Sequence, residues 1–404
     1  MSFSPTAGVI VRDLGQAAVK RLSDAWRSAA GRRRTLKVGV DIRPFYEPLT
    51  GVGWYLYYLL EELAKRDDVE LYLFGDARIT DHGPHLHVTL PESARLCTFD
   101  LRDKPLSRFS RPATAAAYVA WIELTGCDVF FGANYFLPRL HSAVARRRVI
   151  TIHDLTYKRF PELLQKETLE NLERQMAREI AIADAVICVS ESTRRDLLHF
   201  YQIDPGRAVT VHSGLGAPAA SEPVEGLPAR YILFVSTIEP RKNLETLLDA
   251  YERLRRSGRY DGSLVVVGKV GWKAESMVRR LRGEGIVHLD YLRASQLATV
   301  YERAEVFAFP SIYEGFGFPL LEAMARGIPS VSAHSSSLPE IGGDAALYFD
   351  PSDVEGLVSQ LDRAIRDREL RDDLAARGRA RAAKFRWAIA AEETLAVLRK
   401  AAGR

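Results

Sequence analysis

Two glutamates, Glu314 and Glu322, enclose the segment EGFGFPLLE. A carboxylate only accepts hydrogen bonds, and the neighbouring hydroxyls of a ribose or hexose can donate two at once, so the pair suits gripping sugar hydroxyls. Between them, Gly315 and Gly317 lack a Cβ and let a ligand approach the backbone closely. Pro319 can open a helix, where its missing N–H costs nothing. LLEAMAR continues that helix, and Gly327 and Pro329 end it. Upstream, VFAFPS (306–311) has the character of a buried strand. GFGF is therefore a strand-to-helix turn, where free N–H groups and the positive end of a helix dipole favour an anion such as a diphosphate. A glutamate in the first turn of a helix is also favoured by the dipole alone, and spacing leaves both readings open. Cations come from TIEPRKN (237–243), which places Arg241 and Lys242 after the run YILFVS, at the same sheet edge as the turn. There they would hold a diphosphate and stabilise it as it leaves; a solvated pair in a loop is the alternative.

The elements that must position these groups read as α/β. LKVGVDI (36–42), VELYLF (69–74), CDVFF (127–131), RVITIH (148–153) and AVICVS (185–190) alternate with helical patterns such as residues 54–65. This is the pattern of parallel sheets covered by helices on both faces. GAPAASEPVEGLPAR (216–230) has three prolines and no periodicity, as a linker would. Strands then resume at 231–236, 263–268, 286–291, 306–311 and 328–333, with a helix from Asn243 to Arg256. Two such halves imply a cleft between the carboxyl ends of their strands. KFRWAIAAEETLAVLRKA closes the chain as an amphipathic helix. The expected domains are an extension at 1–34, a first Rossmann-like domain at 35–216, a linker at 217–229, a second domain at 230–383 and a final helical segment at 384–404.

Composition narrows the function classes. At 404 residues, 47% apolar and 27% charged, the chain is globular and large enough for two cores, not fibrous or disordered. Cys97, Cys127 and Cys188 are widely spaced in apolar runs, as buried thiols in a reducing compartment would be. No run reaches the length of a membrane span and no signal-peptide order opens the chain, so the expected location is cytoplasmic. The net charge of +4 is concentrated: residues 1–34 carry seven basic side chains against Asp13 and Asp24. Val11, Leu14, Ala18, Leu22, Ala25 and Ala29 form one helical stripe there, which would lie on an anionic membrane surface or pack on the protein. The remainder is close to neutral, which argues against nucleic acid as a partner.

Taken together, TIEPRKNLETLLDAY, YLRASQLATVYERAEVFAFPSIYEGFGFPLLEAMARGIPSV and SSLPEIGGDAALYFDP resemble the retaining nucleotide-sugar glycosyltransferases of family 4. Their fold is GT-B, two Rossmann-like doubly wound domains facing a central cleft. The resemblance runs from Leu36 onward and is strongest from Tyr231 to Pro351. It implies that Glu322 binds the ribose of the nucleotide and Glu314 the transferred sugar. The backbone of Gly315, Phe316, Gly317 and Phe318 would contact sugar and phosphate with Leu321 beside them, Lys242 would neutralise the diphosphate, and Leu292 would lie by the base. In the first half, DIRPFYEPLTGVGWYLYYLLEEL resembles the family's glycine loop, so Gly51, Val52 and Tyr55 would line the acceptor side and Gly53 the donor phosphate. IHDLTY supplies His153, facing the donor sugar, and Asp154 on the acceptor side. Many relatives carry an arginine where this chain has Thr237, and Arg241 is the candidate to replace that cation. The form TIEPRKN is similar to that of bacterial transferases building surface polysaccharides, several of them mannosyltransferases, which points to GDP-mannose.

The expected chemistry is transfer of a hexosyl group with retention, the leaving phosphate accepting the proton of the acceptor hydroxyl. Lys242 and the helix N-terminus stabilise the leaving group, and His153 positions the sugar. No Asp-x-Asp stands at a strand end, so no metal is expected, and the only co-substrate is the nucleoside diphosphate sugar. The acceptor would be a glycan or lipid-linked glycan. A sugar-nucleotide epimerase or hydrolase on the same scaffold, and a membrane-surface adaptor that merely binds nucleotide, are the competing readings.

Overall fold

Short runs of Val, Ile, Leu and Phe buried on both faces build two parallel sheets, as such sequences must when helices cover both sides. The computed structural model describes residues 35–46, 49–75, 88–97, 122–135, 146–164, 166–217 and 219–404. The basic stripe expected between Val11 and Ala29 lies outside the described residues. The first sheet comprises β1 (Leu36–Asp41), β2 (Val69–Phe74), β3 (Arg95–Cys97), β4 (Val129–Gly132), β5 (Arg148–Ile152), β6 (Ala185–Cys188) and β7 (Ala208–Thr210), in the order β3-β2-β1-β4-β5-β6-β7. The second comprises β8 (Tyr231–Val235), β9 (Ser263–Val267), β10 (Ile286–Leu289), β11 (Val306–Phe309), β12 (Ser330–Ala333) and β13 (Leu347–Phe349), in the order β10-β9-β8-β11-β12-β13.

Both sheets reverse their winding beside their first strand, between β1 and β4 and between β8 and β11. Such switch points open a crevice at the carboxyl ends of the strands.

The helices are α1 (Gly51–Leu63), α2 (Thr156–Arg159), α3 (Lys166–Ile182), α4 (Glu191–Tyr201), α5 (Leu244–Arg256) and α6 (Glu275–Arg280). They continue with α7 (Ala294–Glu302), α8 (Phe318–Ala325), α9 (Leu338–Gly342), α10 (Val354–Arg366), α11 (Arg368–Ala382) and α12 (Trp387–Ala401). Among the described residues no helix is long and apolar enough to cross a membrane. The thiols of Cys97, Cys127 and Cys188 are buried and free.

One expectation changes at α1. Gly51, Val52 and Gly53 read as a loop, yet they form the first turn of the helix: Thr50 is extended (φ −95°, ψ −175°) and its carbonyl accepts from Trp54 N at 3.0 Å. An extended residue whose carbonyl closes the first turn is the N-cap position, so helix begins where glycine suggested loop.

The chain crosses between the halves twice. Residues 211–217 leave the first sheet, and Leu215 N donates to Phe385 O (3.0 Å) on the returning segment. Beyond Arg386, α12 packs on α1 and against β4, β5 and β6, burying Ala390, Ala391, Leu395 and Leu398. Ion pairs Arg399–Asp68, Arg66–Glu392 and Arg404–Asp128 fasten it there.

Candidate active site

Each loop at the second sheet's switch point is shaped by a local rule. After β8, Pro240 fixes the start of a 3-10 turn through Lys242, with Lys242 N on Glu239 O and Asn243 N on Pro240 O, both 3.0 Å. Asn243 takes φ +57°, a left-handed conformation that Asn tolerates better than most residues, and α5 follows. Its amide donates to Pro310 O (3.1 Å) and Pro351 O (2.8 Å), tying three strand-end loops together. Ile312 N donates to Arg241 O (2.9 Å), so the loop after β11 is stitched to the loop after β8.

That stitching gathers four charges. Lys242 Nζ donates to Glu314 Oε1 at 2.6 Å, and Arg241 Nη1 to Glu314 Oε2 at 3.1 Å and to Tyr313 O at 2.7 Å. Arg241 Nη2 pairs with Glu239 Oε1 at 2.8 Å. Glu239, Lys242 and Glu314 are all under a tenth exposed, at 3%, 9% and 8%. Burial alone would raise the Glu314 carboxyl, but Lys242 and Arg241 more than reverse it and hold it at about 2. Burial pulls the Lys242 ammonium down, against Glu314, which favours its charged form. At Glu239 burial pushes the carboxyl up, with Arg241 and Lys242 opposing. Two cations, Lys242 buried and Arg241 15% exposed, thus share one carboxylate, Glu314, that an incoming anion can replace. Partner loss is costly for buried charges, so such an exchange needs a ligand of at least equal charge.

Gly317 (φ +106°) is the N-cap of α8, a backbone conformation that a Cβ would strain, and Pro319 lies in the first turn. Ser336 Oγ accepts from Glu314 N (2.8 Å), while Ser337 Oγ donates to Glu314 O (3.0 Å) and Phe316 O (2.9 Å). The loop is therefore held through its own main chain.

The first half meets it edge to edge. A Cβ on Gly315 would stand 1.7 Å from His153 O, so the two backbones touch where only glycine fits. His153 Nε2 lies 2.7 Å from Ala133 O, which requires the proton on Nε2 and leaves Nδ1 as an acceptor. Burial lowers its pKa below 6.5, only partly offset by Ala133 and Asp154, so the ring is neutral at neutral pH. The rings of Tyr55 (4.9 Å) and Tyr135 (5.5 Å) pack on it edge-on. Asp154 accepts from Thr156 N (3.0 Å) and its charge acts on Arg241 across the divide.

The expected residues therefore divide. His153, Asp154, Arg241, Lys242, Glu314 and Gly315 converge on one spot. Phe316 is buried between Phe318 (4.9 Å) and Phe385 (5.8 Å) and presents backbone to the loop. Glu322 is half-buried in α8; burial raises its carboxyl, opposed by a hydrogen bond with Tyr301 and by Arg326. Gly51, Val52 and Gly53 open α1, and Leu292 is half-buried beyond β10. Tyr55 is only 1% exposed, behind His153, and Leu321 is in the core at 0%, so neither side chain offers a surface to a ligand here. Thr237 is exposed, and the second cation beside Lys242 is Arg241. Sequence reading missed Asn243, Tyr313, Ser336 and Ser337 as organisers of the site. An Asn just before a helix and a serine run before Leu338-Pro339 were the available signals.

Two family models match the chain: glycosyltransferase family 4 over residues 49–215 and glycosyl transferases group 1 over residues 220–381. O-antigen chain mannosyltransferase B of Escherichia coli is 32% identical over 380 residues, covering 89% of this chain and 98% of the relative. The MMP alpha-(1->4)-mannosyltransferase of Mycolicibacterium hassiacum is 30% identical over 66% of this chain and 65% of its own. Among solved structures, sucrose-phosphate synthase from Thermosynechococcus elongatus superposes with a TM-score of 0.68 at 21% identity, covering 90% of this chain and 98% of that one, a likeness of fold.

Proposed function

The chain belongs to glycosyltransferase family 4 and has the GT-B fold of two Rossmann-like domains, and from that premise we propose that it moves a mannosyl group, with retention, from GDP-mannose to a hydroxyl of a glycan or lipid-linked glycan in polysaccharide synthesis. The observation that carries this reading is the buried Arg241–Lys242–Glu314 cluster at the β8/β11 switch point, opposite a neutral histidine. The donor's diphosphate takes the two cations and releases Glu314, which turns to the hydroxyls of the transferred sugar. Glu322, one helical turn deeper, binds the ribose. Residues 230–383 form the donor domain and 35–216 the acceptor domain.

The cations stabilise the negative charge that grows on the leaving phosphate, the step at which electrostatic stabilisation is largest. The bond from C1 to that phosphate oxygen breaks as the acceptor oxygen bonds C1 on the same face, and the phosphate oxygen takes the acceptor proton. His153 accepts a sugar hydroxyl through Nδ1 and orients the ring. No residue here serves as an essential base, and no metal is assigned a part.

The test is incubation with GDP-mannose and, separately, UDP- and GDP-hexoses, with and without a mannan-type oligosaccharide acceptor. Mannosylated product with an unchanged anomeric configuration, read by NMR, is expected. Free sugar at the same rate without acceptor points to a hydrolase, and a product of inverted configuration removes the same-face mechanism.

A further inference from the structure

Two N–H groups in the first turn of α4 take their partners from the other half of the molecule. A helix leaves four N–H groups without partners at its N-terminus. Thr193 N is taken locally by Ser190 Oγ (3.1 Å), and Arg194 N makes the first regular helical bond, to Ser190 O (3.0 Å). Glu191 N and Ser192 N instead donate to the two carboxylate oxygens of Glu340, at 2.7 and 3.0 Å, across 149 and 148 residues of sequence. His212, on the segment leaving the first half, adds a 2.6 Å contact to Glu340 Oε1. A carboxylate on free N–H groups at the positive end of a helix is among the stronger polar contacts available.

Glu340 lies in α9, immediately after the residues that hold the loop bearing Glu314. Ser336 and Ser337 bind Glu314 N, Glu314 O and Phe316 O, and within the second half Arg381 anchors α9 through Ile341 O (2.9 Å) and Glu340 O (2.5 Å). Further along α4, Thr193 Oγ1 donates to Gly315 O (3.3 Å), and Tyr313 OH donates to Asp196 Oδ2 (2.7 Å). The start of α4 is thus gripped by Glu340, Gly315 and Tyr313, residues of one loop system.

We propose that Glu340 is a positioning residue: by capping α4 across the divide, it docks the two halves and through α9 sets Ser336, Ser337 and the Glu314 loop against His153. This rests on the reading of Glu314 as the group that holds the donor sugar. Separation exchanges these partners of Glu340, the two N–H groups and His212, for water without breaking any bond within either half.

Two sides of the contact can be removed independently. Glu340→Ala removes the carboxylate. Glu191→Pro removes one N–H at the first helical position, where proline is well tolerated, and Ser190 before it is already extended (φ −151°, ψ 161°) as a residue preceding proline prefers. Glu191→Ala controls for the loss of that side chain's bonds to Arg194 and Thr210. Turnover with GDP-mannose should fall about tenfold or more in Glu340→Ala, the size expected for charged hydrogen bonds. GDP affinity by calorimetry should stay within about twofold, because Glu322 and Leu292 lie within the second half. Glu191→Pro should fall below Glu191→Ala, and Glu340→Ala should add nothing further to Glu191→Pro beyond the second N–H. Small-angle scattering with GDP should show Glu340→Ala more extended than wild type.

An unchanged radius in Glu340→Ala, or equal independent losses that multiply fully in the double variant, overturns the proposal. If wild type fails to turn over GDP-mannose, the donor reading falls, while the scattering comparison still decides the role of Glu340.

Discussion

The two faces of the cleft are built from different materials. The second half brings charge: Glu239, Lys242 and Glu314 are buried against a partly buried Arg241, and the four neutralise one another through bonds of 2.6–3.1 Å. The first half brings shape: His153 is neutral and backed by Tyr55 and Tyr135. Charge stabilises a leaving diphosphate, and shape orients a sugar, so substitutions on the two sides should fail in different ways.

The largest effect belongs to the charged side. Lys242→Ala should lower kcat by about a hundredfold or more and weaken GDP binding, with the fold retained by circular dichroism. Near-normal turnover would break the contrast at its strongest point. Next is the seam. Gly315→Ala places a methyl against His153 O and forces the halves apart, which should cost about tenfold to a hundredfold in kcat with GDP affinity nearly unchanged.

On the shape side, His153→Asn should lower turnover about tenfold with little change in GDP affinity. It also carries a pH signature. The folded ring has its pKa below the 6.5 of an unfolded chain, so between 6.5 and that lower value the unfolded chain takes up a proton that the folded protein refuses. Stability should therefore decline as pH falls through that window in wild type. Denaturant titrations at several pH values should show that part of the slope missing in His153→Asn. The smallest effect is expected at Tyr55→Phe, which keeps the ring on His153 and loses the hydroxyl's polar contacts, the 3.3 Å one with Thr151 Oγ1 among them, about 1 kcal/mol or less by urea titration. A large loss of turnover there would show that the phenol, not the ring, serves the site.

Much of the charged side was legible in the sequence because its signals are local. Pro240, Asn243, Gly317 and Pro319 each dictate the backbone beside the residue that carries chemistry. The strands β8 and β11 stand out as continuous apolar runs, and β1 and β2 as apolar runs broken only by Lys37, Asp41 and Glu70. What escaped was set at long range. β3 and β7 are three residues each, and Arg95 and Leu96 are exposed, so neither strand has a pattern to read. The union of Lys242 with Glu314 spans 72 residues and that of Glu340 with Glu191 of α4 spans 149, and no local spacing encodes either. The chain reads Arg241 and Lys242 as phosphate ligands and Glu314 as a sugar ligand; that these groups bind one another follows only from the adjacency of β8 and β11.

The return of α12 to the first half has a consequence for how the molecule is born. Ala390, Ala391, Leu395 and Leu398 complete the packing over α1 and β4–β6, yet they are made only after the whole second domain. A domain begun at Leu36 keeps an apolar flank uncovered throughout synthesis of the second domain. The first domain thus completes its core only after the second has been made, and a chain released before Trp387 would expose that flank to aggregation rather than leave a smaller working enzyme.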